Sequence, residues 1–188
     1  MKMEKENNKL INIVQKLKKD GNGTGIQQAI VSTCETFSCI RMALYEYRIY
    51  QDNFEIKYEC AEKGYVYKKT LNDILKNEIV SYSHAENSNA IQNEDVCNMI
   101  SKSVMEEHVF YHYVIERNGQ VNGVIALERE KEFSKAELQE VALLIYMISE
   151  EYHAERDNEE LKIQNNFLQT LYSKMQAGLV QCVIEDNA

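Results

Sequence analysis

His108 and His112, four residues apart in HVFYHYVIER, are the first candidates for chemistry in this chain. On a helix that spacing would bring two imidazoles together to share a metal ion. The run is instead rich in aromatic and aliphatic residues and reads as a strand, where four residues span about 13 Å, too far for one ion. His84 and His153 have no partner nearby in sequence and read as surface residues. The five cysteines, Cys34, Cys39, Cys60, Cys97 and Cys182, are an odd set without a C-x-x-C pair, so neither a disulfide framework nor a zinc site is signalled. Cys34 should end a helix and Cys39 begin a strand, so the two could approach one another, and small buried hydrophobic side chains account for both. Gly21-Asn22-Gly23-Thr24-Gly25 lacks the Gly-Lys-Ser/Thr of a phosphate loop and reads as an interhelix turn. No catalytic residue, metal or cofactor is expected.

Composition narrows the remaining classes. At 188 residues, 44% hydrophobic and 27% charged, the chain has the balance of one globular domain with extensions. A net charge of -9 and a pI near 5.0 oppose a broad basic surface for nucleic acid or anionic lipid. No apolar run reaches the roughly 18 to 20 residues of a membrane span, and Met1-Lys2-Met3-Glu4-Lys5-Glu6 is too charged to open a secretory signal. A cytoplasmic location is expected. The closing Val183-Ile184-Glu185-Asp186-Asn187-Ala188 suggests a piece of a longer protein.

The elements that would position any site follow from periodicity. Leu10, Ile13, Val14 and Leu17 make an apolar stripe and predict a helix over about 4–19. A second helix is predicted over about 24–37, with Ile26, Ala29, Ile30, Cys34 and Phe37 on one face. Ile40 to Tyr50 reads as a strand. After the turn residues Gln51-Asp52-Asn53, the segment from Phe54 to Cys60 alternates, so Phe54, Ile56, Tyr58 and Cys60 should share the covered face while Glu55, Lys57 and Glu59 meet water. The middle is less regular: a short helix over 71–79, a short strand over 80–82 and a polar loop over 86–95. Val96, Met99, Ile100 and Val104 have helical spacing and predict a helix over about 95–107. Then comes HVFYHYVIERNGQVNGVIALERE, apolar on both strand faces, with Asn118-Gly119 supplying a turn with positive φ. Val121, Ile125 and Leu127 should share a face, and Gly123 marks a close approach. Ser134 and Glu137 form a capping box that opens a long helix. Beyond Tyr152, Ala154, Leu161, Leu168 and Met175 recur every seven residues, with Leu171 in the companion seam, which predicts a coiled coil; the alternative is a solvated helical linker.

This order of elements resembles a GAF domain over roughly residues 8–155. RNGQVNGVIALE followed by FSKAELQEVALLI is similar to the family's late hairpin and closing helix, and IKYECAEKG to its second-strand segment in bacterial signalling proteins. The chain departs from many members in having no proline on the strand before Asn118-Gly119. The tail from Leu171, LYSKMQAGLVQCVIEDNA, resembles the connector and first strand of a PAS domain, as in sensor kinases and diguanylate cyclases.

The resemblance implies an α+β fold: a central antiparallel sheet of five or six strands, helices on one face, a helical and loop middle segment over a pocket on the other, and a long C-terminal helix. The implied organisation is an N-terminal connector helix over 1–20, the GAF-like domain over 21–155, a helical linker with coiled-coil character over 156–175, and the start of a PAS domain over 176–188. The function it implies is a non-catalytic, small-molecule-sensing regulatory domain acting through its terminal helices. Tyr58, Tyr82, Met99, Phe110 and His112 are the expected ligand-binding residues, although a shift of one residue in register would exchange Phe110 and His112 for Tyr111 and Tyr113. Expected partners are an unknown small molecule, a second copy of the chain and an output domain in the parent chain, with no nucleic acid and no membrane in this segment. The alternative is a GAF-like dimerisation scaffold without a ligand. An enzyme class on this fold reduces free methionine sulfoxide with cysteines in mid-domain, where this chain has Cys97; the family's cyclic-nucleotide signature is missing here.

Overall fold

The structure, a computed structural model, describes residues 2–17, 24–48, 50–65, 99–105, 107–118 and 120–185. The predicted helix at 71–79, strand at 80–82 and loop at 86–95 lie outside these, as do Tyr82 and Cys97. The described elements are α1 (Lys2–Leu17), α2 (Thr24–Thr36), β1 (Arg41–Arg48), β2 (Asn53–Ala61), β3 (Met99–Met105), β4 (His108–Arg117), β5 (Gln120–Arg129) and α3 (Lys135–Glu185). The five strands form one antiparallel sheet in the order β2-β1-β5-β4-β3. The chain divides into two compact units, Met1–Glu151 and Tyr152–Ala188.

In the first unit, α1 meets α2 at a bare contact. A Cβ added at Gly25 would lie 2.4 Å from the Leu17 carbonyl oxygen, so only glycine fits there. α2 packs on β1 and β2 and buries Ile26, Ala29, Ile30 and Cys34. Ser134 opens α3 as its sequence predicts: its amide donates to Glu137 Oε2 at 2.7 Å and its Oγ accepts the Glu137 amide at 3.3 Å. Just ahead, Phe133 is buried against Phe37 and Tyr111, and its amide donates to Tyr111 Oη at 2.9 Å. From there α3 buries Val141, Leu144, Ile145 and Ile148.

Three local expectations give way to tertiary pairing. Residues 99–105, expected in a helix, are strand β3 on the outer edge of β4. Spaced apolar residues fit either period over so short a stretch, and the unpaired backbone groups along β4 favour the strand. In β2 the register shifts between Leu44 and Tyr45, which pair with Tyr58 and Ile56, so Lys57 is the extra residue of a bulge. The strict alternation therefore breaks: Phe54 and Ile56 lie on one face, Tyr58 and Cys60 on the other. A second shift pairs Ile115 with Gly123 but Glu116 with Val121, making Asn122 the extra residue. Val121 consequently leaves the face that holds Ile125 and Leu127.

The bulge also explains Gly123. A Cβ there would sit 2.4 Å from the Tyr45 carbonyl oxygen, so the close approach expected at this glycine is to β1 backbone.

The second unit is helix through Glu185, including residues 176–185, where the resemblance to a PAS domain implied a strand. Leu161, Ile163, Phe167, Leu168, Leu171, Tyr172 and Met175 on it are exposed. Among the described residues no helix is long and apolar enough to cross a membrane.

Candidate functional site

Strand pairing assigns the two faces of the sheet. Cys60, Met42, Leu127 and Tyr111 form one transverse row, and Tyr111 meets Phe133 ahead of α3, so this row belongs to the helical face. The adjacent row, Ala61, Arg41, Glu128 and Phe110, belongs to the opposite face, as does the next, Glu59, Ala43, Ala126 and His112.

The opposite face combines a low apolar floor with a charged rim. Ala43 and Ala126 stand opposite one another near its centre and cluster with Tyr45, Phe54 and Val124. Both are small and buried, Ala43 at 0% and Ala126 at 5% exposed. Beside them Arg41, only 3% exposed, donates from Nε to Glu59 Oε1 at 2.6 Å and from Nη2 to Tyr45 Oη at 2.6 Å. Its guanidinium carbon lies 5.4 Å from the Tyr45 ring centroid and 5.3 Å from that of Tyr65, within cation–π range. Burial works against the charge on Arg41, but Tyr45 and Glu59 outweigh it and raise the group above its ordinary value.

Glu128, also 3% exposed, is the second centre. Its Oε2 accepts the Tyr65 hydroxyl at 2.5 Å and its Oε1 lies 2.6 Å from His108 Nδ1. Burial, together with the bond to Glu128, pushes the Tyr65 phenol well above the usual tyrosine range. Tyr65 thus joins the two centres, through its ring to Arg41 and through its hydroxyl to Glu128. The result is an array of one guanidinium, two carboxylates, two phenols and an imidazole beside an apolar floor, with Arg41, Tyr45 and Glu128 buried and Glu59, Tyr65 and His108 partly exposed. The hydrogen-bonding groups of this set are engaged with one another. No group of three or more His, Cys, Asp or Glu among the described residues could hold a metal.

The structure separates the five expected ligand-binding residues. Phe110 and His112 stand together on the floor-bearing face and both are buried; Tyr111 and Tyr113 face the helices. Tyr58 falls on the helical face because the bulge at Lys57 reverses the pattern behind it. Met99 is on β3 opposite Tyr113, and Tyr82 lies outside the described residues. Sequence reasoning missed Arg41, Glu59, Tyr65, His108 and Glu128 as a group. The available signal was two charged residues, Arg41 and Glu128, directly flanking the apolar runs of two central strands.

No family model matches the chain, and no curated protein does. Solved structures do. The GAF domain of an Acinetobacter phosphoenolpyruvate-protein phosphotransferase aligns with TM-score 0.53 at 13% identity, covering 79% of this chain and 93% of that one. A bacteriophytochrome, RpBphP3 from R. palustris, aligns with TM-score 0.61 at 11% identity over 85% of this chain and 39% of that one. JSC1_58120g3, a protein solved in a far-red absorbing dark state with bound biliverdin, aligns with TM-score 0.54 at 11% identity, covering 79% and 99%. At these identities the likeness shows the fold, which is of GAF type.

Proposed function

We propose that this GAF-type fold is a sensory module that binds a small molecule on the sheet face bearing Arg41, Glu128, Phe110 and His112. One observation carries the reading: charged and hydrogen-bonding side chains converge, buried, around the low floor of Ala43 and Ala126. Burying such groups is costly unless they are satisfied and oriented, and a folding core of this size does not require them. Ligand binding then acts as differential affinity for two settings of the terminal helices, which bias an output domain in the parent chain. We place the module in the cytoplasm, as a homodimer joined along the second half of α3, with no catalytic step of its own. Residues 1–20 act as connector, 21–155 as the sensing domain and 156–175 as a coiled-coil linker.

The test is native mass spectrometry of the chain purified from the cytoplasm of its source cells, beside the variant Ala126→Leu. A sensor shows a mass above 21.9 kDa per chain that is lost or much reduced in the variant, whose larger side chain fills the floor. Bare chain mass in both proteins sinks the reading and favours a dimerisation scaffold.

A further inference from the structure

The second half of α3 exposes more apolar surface than a narrow two-position seam would use. Leu161, Leu168 and Met175 recur at intervals of seven, Leu171 stands in the companion position, and all four are exposed. Phe167, just before Leu168, and Tyr172, just after Leu171, flank this seam and expose 63% and 65% of their surface. Gln164, the companion residue between Leu161 and Leu168, is tied to its own helix, its Nε2 donating to Glu160 Oε1 at 3.3 Å. A stripe that repeats every 3.5 residues is matched along its length by a helix with the same repeat, and a second copy of the chain supplies one. The six apolar side chains offer on the order of 600 Å² on one helix, close to the roughly 800 Å² per partner of a stable interface.

We propose that the second copy packs parallel and in register, with Phe167 of each helix set against Tyr172 of the other. This rests on the dimer proposed above and fixes its geometry. With the helices parallel, each seam residue meets its own counterpart, so Leu161, Leu168, Leu171 and Met175 form four apolar layers and the two Gln164 side chains meet between them. With the helices antiparallel, the repeating positions meet the companion ones instead. Setting Leu161 on Leu171 then puts Leu168 against Gln164 and Met175 against Asp157, while setting Leu168 on Leu171 puts Met175 against Gln164. Each such mismatch covers a polar side chain with an apolar one, which is costly. In return the antiparallel pair gains Glu160 near Lys174 of the other copy, an exposed ion pair that contributes little, and Glu160 already accepts from Gln164. The flanking residues separate the two orientations further. In a parallel pair the residue before a repeating position reaches the residue five places on in the other helix, which is the relation of Phe167 to Tyr172. Two ring pairs, one on each side, thus close over the Leu168 and Leu171 layers. Antiparallel packing gathers both Phe167 rings on one side of the seam and both Tyr172 rings on the other.

The experiment places Leu161→Cys and Met175→Cys separately in the full chain, oxidises each with copper phenanthroline and maps the linked peptides by mass spectrometry, which separates the new links from those of the native cysteines. Each variant should link to itself, position 161 to 161 and position 175 to 175, and an exchanged mixture of the two should give no link between 161 and 175. Those positions lie about 21 Å apart along one helix, whereas a disulfide needs Cα atoms within about 7 Å. Sedimentation equilibrium then reads the ring pairs: Phe167→Ala and Tyr172→Ala should each weaken the dimer at least about tenfold, and the double variant should fall short of the product of the two losses by about tenfold. A doubled mass without self-links, links between 161 and 175, or losses that simply multiply would overturn the parallel arrangement and leave the dimer standing. A single-chain mass for the wild-type protein would overturn both. Either cysteine position is sufficient by itself, so a variant that fails to dimerise leaves the other to decide the orientation.

Discussion

Arg41 is the residue on which most of the side-chain array on the face opposite the helices depends. Arg41→Ala strips the cation from Glu59 and leaves the nearby Glu128 buried without it, a loss in the range of about 3–5 kcal/mol for a broken buried pair. Glu59 retains 20% side-chain exposure, which places the effect at the lower end. Urea denaturation measures it, and Arg41→Lys should recover only part, because a lysine cannot reach Glu59 and Tyr45 with separate fixed donors. A loss below about 1 kcal/mol would mean that the guanidinium is solvated in solution. The cap at Glu137 makes a prediction about pH. Its carboxylate accepts the Ser134 amide, and that bond, with help from Arg129, holds its pKa below the ordinary 4.5. A depressed folded pKa gives stability that is present above about pH 4.5 and fades as pH falls through the lower folded value. Glu137→Gln should therefore flatten the acid limb of the stability curve below pH 4.5 and leave its neutral limb parallel to wild type; an unchanged acid limb would contradict the assignment. Ser134→Ala should cost about 1 kcal/mol at neutral pH. The cap was legible in the sequence because both partners lie within one turn. The Arg41 array was not, because its members come from five separate stretches and meet only through strand pairing.

At the scale of elements, what could be read in advance is what local pattern determines. Both hairpins, α1, α2 and the start of α3 follow from periodicity and turn residues. The bulges at Lys57 and Asn122 do not, since one extra residue there has no marker of its own, yet each exchanges the faces on either side of it. That exchange put Tyr58 on the helical face and Glu59 on the opposite one, beside Arg41. It also sets the sensitivity of Gly123. Gly123→Ala forces a methyl group against the Tyr45 carbonyl oxygen and should cost at least the roughly 1–3 kcal/mol of an overpacked site. Thermal unfolding reads this directly, and a wild-type Tm in the variant would show that β1 and β5 can separate there at no cost. β3 was misread for the complementary reason: its own residues are ambiguous, and the free edge of β4 decides.

For the whole molecule, the antiparallel α+β fold of GAF type was legible from the order of elements, while the identity of any ligand or output domain has no local signature. The second unit carries its own prediction. A solitary helix exposing Leu161, Phe167, Leu168, Leu171 and Met175 gains little from propensity alone and needs a partner surface to remain helical. Light scattering at micromolar concentration should give twice 21.9 kDa, and Leu168→Glu should return the single-chain mass; a wild-type monomer would refute the dimer. The strand order has a kinetic consequence of its own. β1–β2 and β4–β5 are hairpins closed by short turns, but they join only along the β1–β5 seam, between residues far apart in the chain. Closing that long loop is entropically costly before any seam contact offsets it, so refolding should proceed through two early hairpin halves whose docking sets the rate. Trimming the seam at Val124→Ala should then slow refolding more than it speeds unfolding.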